Sequence, residues 1–231
     1  MEALYGEYKI IARIYNDYET KFGIPRQSGI VNESESVIIF EPSYRSVEAV
    51  RGLEEYSHIW LLWLFSENKN LGYKATVRPP RLGGNKRVGV YATRSPYRPN
   101  PIGLSSVKIN KVDCISHNSP LIYVAGADML NGTPILDIKP YLPYCDSHVD
   151  AIGGFADKVK DYALTIEDGI FLLEQVSEDK REAIKKILEN DPRPAYHDSP
   201  DRIYSFEYGG YHVEFSVEGT SLCVRALYEV D

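Results

Sequence analysis

The residues best suited to hold a charged ligand fall into a few short polar clusters set between apolar runs. The densest extends from Thr76 to Ser105, TVRPPRLGGNKRVGVYATRSPYRPNPIGLS, and carries Arg78, Arg81, Lys86, Arg87, Arg94 and Arg98 with no acidic residue. It also holds Pro79, Pro80, Pro96, Pro99 and Pro101, with Gly83, Gly84, Gly89 and Gly103. Proline fixes φ and glycine admits positive φ, so such a run sets a backbone shape. Guanidinium groups on stiff backbone suit an anionic or carboxylate-bearing ligand, which they grip through paired hydrogen bonds. The other clusters are Arg26-Gln27, Glu67-Asn68, Asn100, Asp128 and Asp137-Ile138-Lys139-Pro140-Tyr141. Each has a plainer reading: a solvated cationic loop, an exposed Asp137–Lys139 ion pair of little worth, or an Arg193 that caps the helix before it.

The rest of the chain is acidic, which makes the cationic run stand out. Of 26 Lys/Arg in the 231 residues, nine lie between Lys74 and Lys111, where there is no Asp or Glu, while the formal net charge is −7. That balance argues against nonspecific nucleic-acid binding over the whole surface and for a local patch that steers an anion to one face. Tyrosine is abundant, 18 residues, which suits β-rich structure and surfaces that meet flat ligands. Cys114, Cys145 and Cys223 form neither a CxxC pair nor a disulfide framework, so a reducing, cytoplasmic location is expected. The five histidines show no ligand spacing, and no metal site is expected. MEALYGEYK has no basic start or apolar core and so does not read as a secretory leader. The apolar run Ile59 to Phe65 is too short to cross a bilayer, so no membrane partner is expected.

Many short strands must position these clusters. Tyr8–Tyr15, Ser36–Phe40, Ser57–Phe65, Tyr73–Val77, Val88–Ala92, Leu104–Val112, Leu121–Ala127 and Ile135–Tyr141 read as strands, with Asn131-Gly132 as a hairpin turn. Ser57–Phe65 is apolar nearly throughout, which predicts burial on both faces as a strand or a short helix. A period of two puts Asp137 and Lys139 on the face of Ile135. Ser46–Leu53 is expected to be a short helix. Helices do not alternate with strands, so a doubly wound nucleotide-binding sheet is disfavoured. The expected fold is mainly β: a closed or nearly closed barrel over residues 1–150, followed by a small α+β domain over 151–231. In the second unit Glu178–Glu189 predicts a helix, with Ala183, Ile184, Ile187 and Leu188 as its apolar stripe. Strands at Ile203–Tyr208, Tyr211–Val217 and Ser221–Leu227 follow it.

No nucleophile–base set, P-loop or GxSxG is present. Three segments instead resemble the TsaA-like family: VRPPRLGGNKRVGVYATRSPYRPNPIGLS, DMLNGTPILDIKPYLPYCD and, later, DPRPAY. The likeness runs from about Tyr8 to the C-terminus. Tyr97 and Cys145 stand where Phe and a small residue are expected, and 147–178 matches no motif. The resemblance implies an S-adenosylmethionine-dependent methyltransferase acting on N6 of threonylcarbamoyladenosine beside the tRNA anticodon. It also implies a barrel that binds the cofactor near a homodimer interface, and a C-terminal domain that helps to hold tRNA. By position in the motifs, Arg26, Gln27, Glu67, Asn68, Arg94 and Asp128 are candidates for cofactor contact, and Asp191, Arg193 and Tyr196 for RNA contact. Arg78, Arg81 and Arg98 of the basic run are candidates to meet phosphates. Asp137 is the candidate base for the N6 proton. Two other readings stay open: a non-catalytic RNA-binding barrel without cofactor, and methylation of a small metabolite.

Overall fold

The computed structural model describes residues 7–68, 72–79, 82, 86–158, 160–193 and 199–230, apart from the side chain of Asn68. Its strands are β1 (Ala12–Asn16), β2 (Glu35–Phe40), β3 (His58–Leu64), β4 (Thr76–Val77), β5 (Val88–Gly89), β6 (Ile102–Asp113), β7 (Leu121–Ala125) and β8 (Pro134–Pro140). A short helix α1 (Pro143–Asp146), strand β9 (Thr165–Glu167), helix α2 (Glu178–Glu189) and strands β10 (Tyr204–Tyr208), β11 (Tyr211–Glu218) and β12 (Ser221–Glu229) complete it.

Six strands close a barrel in the order β1-β2-β7-β6-β3-β8, every pairing antiparallel. Alternate residues of each strand point inward, so Ala12, Ile14, Ile38, Ile59, Leu61, Val107, Ile122, Val124 and Ile135 fill the interior. Strand β3 alternates instead of being buried on both faces. Ile59, Leu61 and Trp63 face in, while Trp60 lies outside, where its ring meets Tyr141 at 5.5 Å and its Nε1 donates to Asp146 at 2.9 Å. The outer apolar residues of this strand are therefore partly covered by the chain end of β8 and by α1.

The expected face of Asp137 is corrected by the register. Leu62 pairs with Asp137 but Trp63 with Ile135, so Leu136 is an extra residue on β8. Such a bulge shifts the phase of alternation. Ile138 packs on the barrel core instead, and Asp137 and Lys139 face outward together. The expected helix at 46–53 is also corrected: it is a pair of 3-10 turns, Val47–Val50 and Leu53–Glu55, separated by Gly52 at φ 83°. The strands expected at 73–77 and 88–92 shrink to the two-residue hairpin of β4 and β5, outside the barrel.

In the C-terminal unit, α2 buries Ala183, Ile184, Ile187 and Leu188, the stripe its spacing predicts. It lies against a sheet in the order β10-β11-β12-β9, where β9 joins parallel to β12. The loop between β1 and β2 belongs to this core as much as to the barrel. Tyr18 and Val31 are buried in it, with Phe22, Ile24 and Ile30 packed alongside. Asp17, at the start of the loop, pairs with Lys180 of α2. The two units are thus joined through the segment that carries Arg26 and Gln27. No helix among the described residues is long and apolar enough to cross a membrane, and no described group of His, Cys, Asp and Glu could hold a metal ion.

Candidate cofactor cavity

The ends of β1, β3 and β7 and the starts of β6 and β8 all lie at one end of the barrel. The connections there enclose a cavity of about 470 Å³, within the usual range for small-molecule sites. Arg26, Gln27, Glu67, Arg94, Arg98 and Asp128 line it, with Trp63, Phe65, Ile24 and Met129 as apolar wall. Four segments far apart in the chain therefore bring the predicted cluster together.

Glycine makes two of these approaches possible. A Cβ on Gly103 would sit 2.1 Å from Cε2 of Trp63, so only glycine lets the indole lie flat against β6. Gly126, at φ 76°, accepts the Gly29 N–H at 2.9 Å and leaves no room for a Cβ beside Asn32, which docks the Arg26 loop next to Asp128. From the buried Trp63 a polar chain runs inward: Nε1 donates to the Ser105 hydroxyl at 3.0 Å, and that hydroxyl donates to Asp128 Oδ1 at 2.5 Å. Trp63 also contacts Phe65, centroids 4.3 Å apart. Burial pushes the Asp128 carboxyl above its ordinary value, and the Ser105 hydroxyl and the Arg94 charge offset this only in part. Arg94, exposed and also lining the cavity, donates to Gln27 Oε1, and the Gln27 amide donates to the Arg26 carbonyl. The cavity therefore presents guanidinium groups, a carboxylate and aromatic rings on one lining. That arrangement suits a ligand with an anionic end, hydrogen-bond donors and a flat apolar part.

The remaining candidates divide between the cavity and other parts of the fold. Glu67 lines the cavity from the 3-10 turn Ser66–Asn68, whereas the Asn68 side chain lies outside the described residues. Asp137 accepts Lys139 Nζ at 2.8 Å and the Ile138 N–H at 2.9 Å and does not line the cavity. Arg78 is exposed beside β4, and Arg81 and Tyr196 lie outside the described residues. Arg98 is half-buried: its Nη1 donates to the Thr93 carbonyl at 2.6 Å and to Val90 at 3.2 Å, so it ties the 90–93 turn. Asp191 and Arg193, expected on an RNA surface, are only 5 % and 7 % exposed and grip each other. Their burial takes both side chains out of reach of a phosphate. Trp63 and Ser105 are functional residues that the sequence candidates do not include. The signal for them was the GLS of the basic run, where Gly103 and Ser105 share one face of a strand.

Residues 13–147 match the tRNA-methyltransferase O N-terminal domain, and residues 164–230 match the C-terminal domain of the same enzyme family. The chain belongs to this family. It is 36 % identical over 229 residues to the tRNA (adenine(37)-N6)-methyltransferase of Escherichia coli, covering 96 % of this chain and 97 % of that one. To the enzyme of the same name from Eikenella corrodens it is 40 % identical, covering 76 % of this chain and 99 % of that one. The crystal structure of TrmO from Pseudomonas aeruginosa superposes with a TM-score of 0.77 at 29 % identity, over 97 % of this chain and 100 % of that chain.

Proposed function

We propose that this chain is an S-adenosylmethionine-dependent methyltransferase acting on N6 of the adenine beside the tRNA anticodon, with threonylcarbamoyladenosine as the substrate nucleoside. The observation that carries the reading is the cavity in which Arg26, Gln27, Arg94 and Asp128 meet against Trp63 and Phe65. When bound, S-adenosylmethionine supplies a methyl group on a positively charged sulfur. The residues present fit it. Arg26 and Arg94 would hold its carboxylate, and Asp128 would accept from its hydroxyl or amino donors. The indole and phenyl rings would take its flat apolar part. Methyl transfer of this type needs alignment more than covalent help, and a rigid pocket supplies alignment. Rigidity here comes from the Gly103 contact and the Trp63–Ser105–Asp128 chain.

The carbamoylated N6 is amide-like and must lose its proton before or during attack. Asp128 and Glu67 are the acids that line the cavity, and either meets a ligand proton sooner than Asp137 does. The exposed Arg78, Lys86 and Arg87 are proposed to meet tRNA phosphates, which makes binding weaken with salt. A homodimer and a cytoplasmic location belong to the same reading. Calorimetric titration with S-adenosylmethionine tests it: one site per chain, weakened by Arg94→Ala, supports the proposal. Salt-sensitive RNA binding without any cofactor affinity identifies an RNA-binding barrel instead.

A further inference from the structure

We infer that Asp191 and Arg193 are positioning residues of the barrel cavity, acting through Arg26. This rests on reading that cavity as the S-adenosylmethionine site. Arg26 reaches across to the C-terminal unit, where its Nη2 donates to the Asp191 carbonyl at 3.0 Å and also to the Arg193 carbonyl. One nitrogen with two hydrogens thus serves two carbonyls separated by Pro192, which fixes the guanidinium plane on the cavity wall.

Those two carbonyls converge because the backbone between them is held in an unusual shape. Asp191 follows the end of α2 at φ 49°, a left-handed position that glycine commonly fills. It also precedes proline, which narrows the allowed backbone further. A non-glycine residue there persists only when its surroundings enforce it. The enforcement is visible. Arg193 Nε donates to Asp191 Oδ1 at 2.8 Å, its Nη2 to Oδ2 at 3.0 Å and its backbone N–H to Oδ1 at 3.2 Å. The Tyr162 hydroxyl donates to Oδ2 at 3.0 Å. The pair is buried, and the Arg193 guanidinium lies 5.8 Å from the Tyr204 ring.

A buried ion pair is weak support for stability by itself, because desolvation offsets most of the attraction. Here its geometric output, two carbonyls aimed at Arg26, ends in the cavity. The C-terminal unit is then a wall of the cofactor site, coupled to it through a residue 165 positions away in sequence.

A double-mutant cycle on the full-length protein tests this, with S-adenosylmethionine affinity measured by calorimetry for wild type, Arg26→Ala, Arg193→Ala and the double variant. Arg26→Ala is expected to weaken binding by roughly tenfold to a hundredfold, as for loss of a charge-assisted contact. Arg193→Ala is expected to cost about tenfold or more by the same reasoning. Because Arg193 acts through Arg26, the double variant should bind within about twofold of Arg26→Ala alone, the non-additivity of coupled residues. Penalties that multiply, or full affinity in Arg193→Ala, overturn the inference. Arg193→Lys keeps the charge but loses the fork and should not rescue binding. The salt dependence of binding to unfractionated tRNA should be the same in wild type and in Arg193→Gln, which removes the charge, since a buried side chain neutralises no phosphate. A reduced slope would return Arg193 to the RNA surface. If Arg193→Ala does not fold, Tyr162→Phe replaces it in the cycle under the same rule, with a smaller penalty. Absence of cofactor binding in wild type would instead overturn the methyltransferase reading itself.

Discussion

Replacing Gly103 by alanine tests how the cavity wall is built. The new Cβ would stand 2.1, 2.4 and 2.5 Å from Cε2, Cζ2 and Cδ2 of Trp63, where ordinary contact begins at 3.4 Å. The indole is 6 % exposed and packed against Phe65, so the direction left open to it is into the cavity it lines. It must retreat by about 1.3 Å, the difference between the two contact distances. Overpacking of this kind costs about 1–3 kcal/mol. In a chain of this length about 2–4 °C of melting temperature is lost per kcal/mol. The same retreat stretches the 3.0 Å bond from Trp63 to Ser105 and frees the hydroxyl that fixes Asp128. Gly103→Ala should therefore lower the melting temperature and weaken S-adenosylmethionine binding by about tenfold or more, the cost of one misplaced charged hydrogen bond. Calorimetric titration beside a thermal melt reads both. The smaller ring of Gly103→Ala/Trp63→Phe should recover part of the melting temperature but not the affinity, because phenylalanine cannot donate to Ser105. Wild-type affinity in Gly103→Ala would refute the reasoning.

Other expectations follow from the same geometry. Burial raises the Asp128 carboxyl above its ordinary value of 3.8, so the folded protein holds that proton more tightly than the unfolded chain. Its contribution is complete below the unfolded value and is lost as pH rises through the folded one. Asp128→Asn should thus gain melting temperature over wild type at about pH 7 more than at about pH 4, while losing cofactor affinity; the reverse order in the melts contradicts the assignment. Arg78→Ala should reduce the salt slope of tRNA binding by about one, and an unchanged slope takes Arg78 off the RNA surface. Arg98→Ala acts instead on the 90–93 turn, and should lower the melting temperature with no change in that slope. Asp137→Ala should keep its turnover within about twofold of wild type, because its ion pair is exposed. A loss of a hundredfold or more would restore Asp137 as the base.

Local patterns made much of the fold readable. The stripe of α2 and the strand cores depend on neighbours a few residues away, and spacing encodes those. Asn131-Gly132 makes a turn but not the expected hairpin, because β7 and β8 do not pair with each other. The bulge at Leu136 was not readable, since an extra residue in a ladder is set by the partner strand. The site divided along the same line. Arg26, Glu67, Arg94 and Asp128 stood out as polar groups on stiff backbone, and the barrel brings them to one cavity. What the sequence could not supply was partnership at long range. Asp191, Arg193 and Arg98 look alike as charged residues in proline-rich segments, yet their bonds to buried partners set them apart from the exposed Arg78. Trp63 lay hidden among apolar neighbours, because its role depends on a glycine 40 residues away.

The most direct test is methyl transfer itself. Purified protein is incubated with labelled S-adenosylmethionine and tRNA from cells lacking this methylation, and the digested nucleosides are separated by mass. The account predicts one added methyl group on threonylcarbamoyladenosine, abolished by Asp128→Asn and absent on tRNA lacking the threonylcarbamoyl group. A methyl group on any other nucleoside, or tRNA binding with no transfer at saturating cofactor, would contradict it.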